Sequence, residues 1–237
     1  MAPRTVLITG FEPFDGHRLN VSWEVARALP ARSPDGESWI AHRLPCTFEA
    51  CAVELPRLLD HVQPDCVIAL GQAEGRADIT IERIAVNVRD ARIPDNAGAQ
   101  PIDLPVVEGA PLAYLSTLPW RALVTSLRES AMPVSLSNTA GTFVCNAGFF
   151  VLQHHLRDRA VPSGFVHLPI LPEQRPDHNP TVKRIAREDA PMIAGRDVPV
   201  LELSLQIDTL ALLIRRTREH TGPWGPIDTH FGNLANR

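Results

Sequence analysis

The run Cys66-Val67-Ile68-Ala69-Leu70, stopped by Gly71, constrains the fold of this chain more than any other stretch. Five apolar residues with no polar alternation describe a strand covered on both faces, and such strands belong to sheets held between helical layers. Residues 4–9, with Val6-Leu7-Ile8 at their centre, read as a second strand, and Gly10-Phe11-Glu12-Pro13-Phe14-Asp15-Gly16 after them as a loop. Further strands are predicted over 38–44 and 134–136, and one ends in Phe165-Val166-His167-Leu168. Between them lie helices predicted over 22–29 (capped by Asn20 or Ser22), 47–62, 119–130, 146–156 and 202–219. Pro56 is expected to kink or shorten the second helix, whose Leu55, Leu58, Leu59 and Val62 share a face.

Alternating strands and helices predict an α/β fold. At 237 residues the chain fits one large domain, read here as a single domain over 1–237 with an exposed excursion at 172–197 and a tail at 222–237. Residues 87–118 show little periodicity, and a long irregular segment inside a compact domain is usually a functional loop.

Several function classes drop out on composition. The net charge is -4 with no basic cluster, which excludes a nucleic-acid surface. No apolar stretch approaches the roughly 18 residues of a membrane span, and the N-terminus runs straight into a strand, not a signal peptide. A soluble, cytoplasmic protein is expected. The four cysteines, at 46, 51, 66 and 145, form no CxxC pair and no Cys/His cluster, so four thiols and no metal are expected. His154-His155 are adjacent on a predicted helix and point apart, and no phosphate-cradling glycine loop follows the first strand. No cofactor is implied.

One thiol stands apart. Cys145 follows the small, turn-forming run Asn138-Thr139-Ala140-Gly141-Thr142 and opens an apolar helical pattern. A helix N-terminus favours thiolate and offers free N–H groups to an oxyanion. The plain alternative is a small buried hydrophobe. His167, near a strand end where α/β sheets gather their ligands, could take a proton from such a thiol, or could be a hydrogen-bonded structural histidine. Glu82, a carboxylate in the apolar run Ile79-Thr80-Ile81-Glu82, could orient an imidazole or pair with Arg83 or another cation.

Four segments in order carry a resemblance. They are Leu7-Ile8-Thr9-Gly10-Phe11-Glu12-Pro13-Phe14, Gly71-Gln72 with Ile79 to Asn87, Leu136 to Asn146, and Gly164 to Pro169 with Pro172-Glu173-Gln174. Together they resemble pyroglutamyl peptidase I (pyrrolidone-carboxylate peptidase), from about Val6 to His167. The resemblance implies a three-layer α/β/α sandwich with a mixed, mostly parallel sheet of the phosphorylase/hydrolase-like type. It implies a cysteine exopeptidase, an omega-peptidase that removes N-terminal pyroglutamate from peptides through a thioester, with Cys145, His167 and Glu82 as its triad. For substrate binding it implies Phe11 and Phe14 flanking the lactam ring, with Phe143 of the cysteine segment beside them. Backbone groups around Gln72 would recognise the lactam amide, Asn20 would help hold the pocket, and Arg92 would position substrate or oxyanion. A homotetramer is implied as well.

The chain departs from that pattern in places. Asp15 precedes Gly16, Val21 replaces a proline before Ser22-Trp23, and Glu74 stands where a small residue or proline is expected. An acid near Gln72 bears on substrate affinity and pH response more than on the chemistry. Residues 175–198 match nothing clear in the family. Two rival readings share the fold or the pocket: an enzyme acting on nucleosides, and a catalytically inactive pyroglutamyl-binding homologue.

Overall fold

The computed structural model describes residues 4–175 and 198–222. The chain order is β1 (Arg4–Phe11), α1 (Val21–Ala28), β2 (Glu37–Leu44), α2 (Phe48–Val62), β3 (Cys66–Gln72), β4 (Ile79–Glu82) and β5 (Ile84–Val86). There follow β6 (Ala113–Leu115), α3 (Trp120–Glu129), β7 (Val134–Ser137), α4 (Val144–Leu156), β8 (Ser163–Leu168) and α5 (Leu203–Glu219). Six strands form one sheet in the order β2-β1-β3-β8-β4-β7. Only the β4–β8 pairing is antiparallel. The sheet is therefore mixed and mostly parallel, with helices on both faces.

Period-2 alternation sorts the strands onto two cores. Val6 and Ile8 of β1, Ile68 and Leu70 of β3, Ile79 and Ile81 of β4, and Val166 and Leu168 of β8 pack with α1, α3 and α5. Leu7, Val67, Ala69 and Phe165 face the other way, against α2 and α4. Thr80 and Glu82 of β4, and His167 of β8, share that second face by the same alternation. Polar side chains placed there look toward α4.

The main differences from the sequence reading have local causes. Strand β1 continues through Gly10 and Phe11 because its ladder to β2 runs on to Arg43 and Leu44. Helix α2 is not shortened by Pro56: it runs 15 residues, held by the buried Cys51, Leu55 and Leu59. The irregular 87–118 segment contains β6, which pairs with β5. Helix α4 begins at Val144, two residues earlier than expected, so Cys145 lies inside its first turn. The expected excursion lies almost wholly, and the tail all but Gly222, outside the described residues.

Candidate active site

Glu82 and His167 meet because their strands run antiparallel. In register, Thr80 faces His167 and Glu82 faces Phe165, so Glu82 and His167 are diagonal neighbours on one face. Diagonal pairs lie within reach of long side chains. The result is a contact of 2.8 Å between His167 Nδ1 and Glu82 Oε1, with Glu82 fully buried and His167 nearly so. A carboxylate only accepts, so Nδ1 donates and Nε2 is left as the basic nitrogen.

Cys145 arrives on α4, and the place for its sulfur is made by Gly71. Gly71 pairs with His167 across β3 and β8. A Cβ on Gly71 would lie 2.9 Å from Cys145 Sγ and 2.7 Å from the Phe165 ring. The start of α4 is anchored by Asn146, fully buried, whose Oδ1 accepts from Val86 N–H at 3.0 Å. Its Nδ2 donates to the carbonyls of Val86 and Val88 at 2.9 and 3.0 Å.

Cys145 and His167 both line one cavity of about 440 Å³. Phe14 and Phe143 form aromatic wall, their ring centroids 6.1 Å apart, and Gln72 lines the cavity with them. Gln72 Oε1 accepts from Val21 N–H at 3.2 Å and from Gln174 Nε2 at 2.7 Å. That fixes β3's end against α1 and the turn after β8. Arg92 lines the cavity too, with an exposed side chain.

Two expected pocket residues sit behind the lining. Phe11 is 2% exposed, its ring 6.4 Å from that of Phe165. It is outside the cavity wall because β1 extends through it and turns its side chain into the α2/α4 core. Asn20 caps α1, accepting from Ser22 N–H at 3.0 Å, and donates to the Glu12 carbonyl at 3.0 Å. Its bonds fasten the loop that carries Phe14, and its side chain does not reach the cavity lining.

The electrostatics depart from the expectation of a helix-stabilised thiolate. Burial, reinforced by the Glu82 carboxylate, pushes the Cys145 thiol up to about 12, against the opposing pull of Arg76 and a backbone N–H. Burial also lowers His167 below its ordinary value despite Glu82, and Arg76 adds to the lowering. The resting couple is neutral thiol and neutral imidazole. His17, also in the lining, is lowered by burial while Glu74 and Asp15 oppose it, and its Nδ1 has no partner among the described residues.

Arg76 was not anticipated. It follows the turn Ala73-Glu74-Gly75, in which Gly75 takes φ +86°, a left-handed conformation that glycine adopts freely. Its Nη1 lies 2.9 Å from Glu82 Oε1, and it lines the cavity. Arg83, the neighbour weighed as Glu82's partner, points to the opposite side as adjacent strand residues do. It donates to Asn138 Oδ1 at 2.8 Å and stacks on Trp120 at 4.4 Å. The only trace of Arg76's role in the sequence is a cation in the turn between two buried strands.

The other cysteines are buried free thiols, and no group of three or more metal-ligating side chains occurs among the described residues. His154 accepts from or donates to Tyr114 Oη at 2.8 Å and His155 pairs with Asp60. No helix among the described residues is long and apolar enough to cross a membrane.

A mostly parallel α/β sheet that brings a thiol and an imidazole to one aromatic-walled cavity, with a carboxylate buried behind the imidazole, has the makeup of a cysteine hydrolase. The chain belongs to the pyroglutamyl peptidase family: the family profile described as Pyroglutamyl peptidase matches residues 4–190. It is 56% identical over 175 residues to a pyrrolidone-carboxylate peptidase of Erwinia tasmaniensis, covering 74% of this chain and 82% of that one. To a pyrrolidone-carboxylate peptidase of Yersinia pseudotuberculosis it is 46% identical, over 94% of this chain and 99% of the other. Among solved structures, pyroglutamyl peptidase I of Bacillus amyloliquefaciens superposes with a TM-score of 0.79 at 33% identity, covering 92% of this chain and 98% of that one. A variant of pyrrolidone carboxyl peptidase from Pyrococcus furiosus gives 0.82 at 34%, covering 92% and 100%.

Proposed function

We propose that this chain hydrolyses the amide bond after an N-terminal pyroglutamyl residue, with Cys145 as nucleophile, His167 as general base and Glu82 as the carboxylate behind it. The observation that carries this reading is the 2.8 Å contact of His167 with the buried Glu82, behind the cavity that His167 and Cys145 both line. Because the thiol is held protonated by burial, attack and proton transfer are coupled. His167 Nε2 takes the thiol proton as sulfur adds to the pyroglutamyl carbonyl. N–H groups at the start of α4 receive the developing oxyanion, and Arg92, which lines the same cavity, assists them. The imidazolium, balanced by Glu82, protonates the leaving amine. Water then cleaves the thioester with His167 again as base.

The apolar slot against the wall of Phe14 and Phe143 suits a flat, uncharged lactam, which binds by stacking and burial. An unblocked glutamyl residue brings an ammonium and a carboxylate that an apolar slot cannot solvate. Phe11 and Asn20 serve this slot indirectly, through Phe165 and the Glu12 carbonyl. Peptides with N-terminal pyroglutamate are the proposed substrates, the reducing cytoplasm is the compartment that suits four free thiols, and a tetramer is the proposed assembly.

The test is release of product from a fluorogenic pyroglutamyl amide by wild type and Cys145→Ala, with the matching glutamyl amide as control. Turnover of the first substrate alone, lost in Cys145→Ala at unchanged melting temperature, is expected. Binding without turnover in wild type would mark an inactive homologue, and equal rates in both proteins would end the reading.

A further inference from the structure

Glu82 is bound by more than His167. Its carboxylate is fully buried, and the single oxygen Oε1 takes both His167 Nδ1 at 2.8 Å and Arg76 Nη1 at 2.9 Å. Oε2 has no hydrogen-bond partner among the described residues. The same guanidinium contacts the Thr80 hydroxyl and donates through Nη2 to the Thr139 carbonyl at 3.1 Å. Thr139 belongs to the loop that runs into α4 and Cys145. One arginine thus joins the carboxylate on β4 to the approach of the nucleophile.

The physical need for it is clear. A carboxylate without water, facing only a neutral imidazole, keeps its charge at high cost, and burial favours uptake of a proton. A protonated Glu82 could not balance the imidazolium that forms when His167 takes the thiol proton. Guanidinium is charged at every relevant pH and gives directed N–H bonds, so it matches a buried carboxylate where a mobile ammonium does less well. Its three-quarters-buried side chain is screened little by solvent.

We propose that Arg76 is the positioning residue of this site: it balances the buried Glu82 charge, aims Oε1 at His167 Nδ1, and ties the loop before Cys145 to the same centre. It rests on the reading of Cys145 and His167 as nucleophile and base, and it acts through Glu82, not on substrate. Among the described residues, the ionisable groups acting on His167 are Glu82 from β4 and Arg76 from the β3–β4 turn, and Cys145 from α4 shares its cavity. Asp15, His17, Glu74, Asp90 and Arg92 stand elsewhere in the cavity lining.

The experiment compares Arg76→Gln, Arg76→Lys, Glu82→Gln and the double variant Arg76→Gln/Glu82→Gln, each first checked for a cooperative melt. With a pyroglutamyl amide, Arg76→Gln is expected to lose roughly tenfold or more in kcat with KM changed less than about twofold, and Arg76→Lys to recover part of the loss. The double variant should be no slower than Glu82→Gln alone, since coupled residues are not additive. A rise in KM at constant kcat, no recovery in Arg76→Lys, or additive losses would each overturn the proposal. Iodoacetamide labelling of Cys145, followed by mass spectrometry, reads the same couple without substrate. It should slow in Arg76→Gln, which loses the cation that favours thiolate, and unchanged labelling would overturn the role of Arg76. Were wild type to leave pyroglutamyl amides intact, the functional reading would fall while labelling still decided the case of Arg76.

Discussion

The sulfur of Cys145 occupies the space that a side chain on Gly71 would need. A Cβ there would stand 2.9 Å from Sγ and 2.7 Å from the Phe165 ring, with Phe165 fully buried and unable to retreat. Gly71→Ala should therefore displace the nucleophile from His167. We expect loss of most turnover and a destabilisation of about 1–3 kcal/mol, the usual cost of overpacking a tight core. Steady-state kinetics beside a thermal melt would measure both, and a wild-type-like Gly71→Ala enzyme would show that the sulfur sits elsewhere in the active state.

His167→Ala removes the only imidazole among the described residues in contact with Glu82. It should be as inactive as Cys145→Ala. Glu82→Gln keeps an acceptor oxygen near Nδ1 but no charge to balance the imidazolium, so partial activity should remain. Rates of pyroglutamyl amide hydrolysis rank the three, and a fully active His167→Ala protein would remove His167 from the role of base.

Asn146 anchors the first turn of α4 through three hydrogen bonds to the backbone of Val86 and Val88. Asn146→Ala leaves part-buried backbone groups of Val86 and Val88 without these partners, worth about 2 kcal/mol. The melting temperature should drop accordingly. Turnover should fall with it, because the loosened turn carries Cys145; unchanged activity at the lower melting temperature would show that the anchor serves stability alone.

The titrations have a definite sign. His167 and His17 are lowered from 6.5, chiefly by burial. The unfolded chain then binds more protons below that value, so stability falls as pH drops through the range beneath 6.5. Burial likewise pushes the thiols of Cys51, Cys66 and Cys145 up from 9.0 to about 12, and raises Cys46 as well. Unfolded thiols ionise first, so stability is lost as pH rises above 9.0. Melting temperature against pH should peak between these limits. His167→Asn should flatten the acid side, Cys66→Ala the alkaline side, and an unmoved profile in either would contradict the assigned cause.

Much of the architecture was legible without coordinates. The unbroken apolar run at Cys66–Leu70 demands helices on both faces of its strand, because no side of it tolerates water. Alternation along β1, β4 and β8 is a property of each strand alone, which is why the layers follow from local pattern. Cys145, His167 and Glu82 could be singled out because each is a reactive type set in a segment of family form.

What surrounds those residues was settled only by the folded chain. Arg76 reaches Glu82 because a glycine turn folds it back over an antiparallel strand pair, and nothing in its local sequence separates it from a solvated surface cation. Phe11 was expected to flank the lactam ring and lies buried behind the cavity lining, since whether a strand ends at Gly10 or continues is decided by a partner strand some thirty residues on. The protonation of Cys145 is likewise collective: the helix start favours thiolate, but burial and a carboxylate from β4 outweigh it. Covalent order specifies which side chains exist and which way neighbours alternate; distance, shielding from water and the sum of nearby charges arise only when remote segments are brought together.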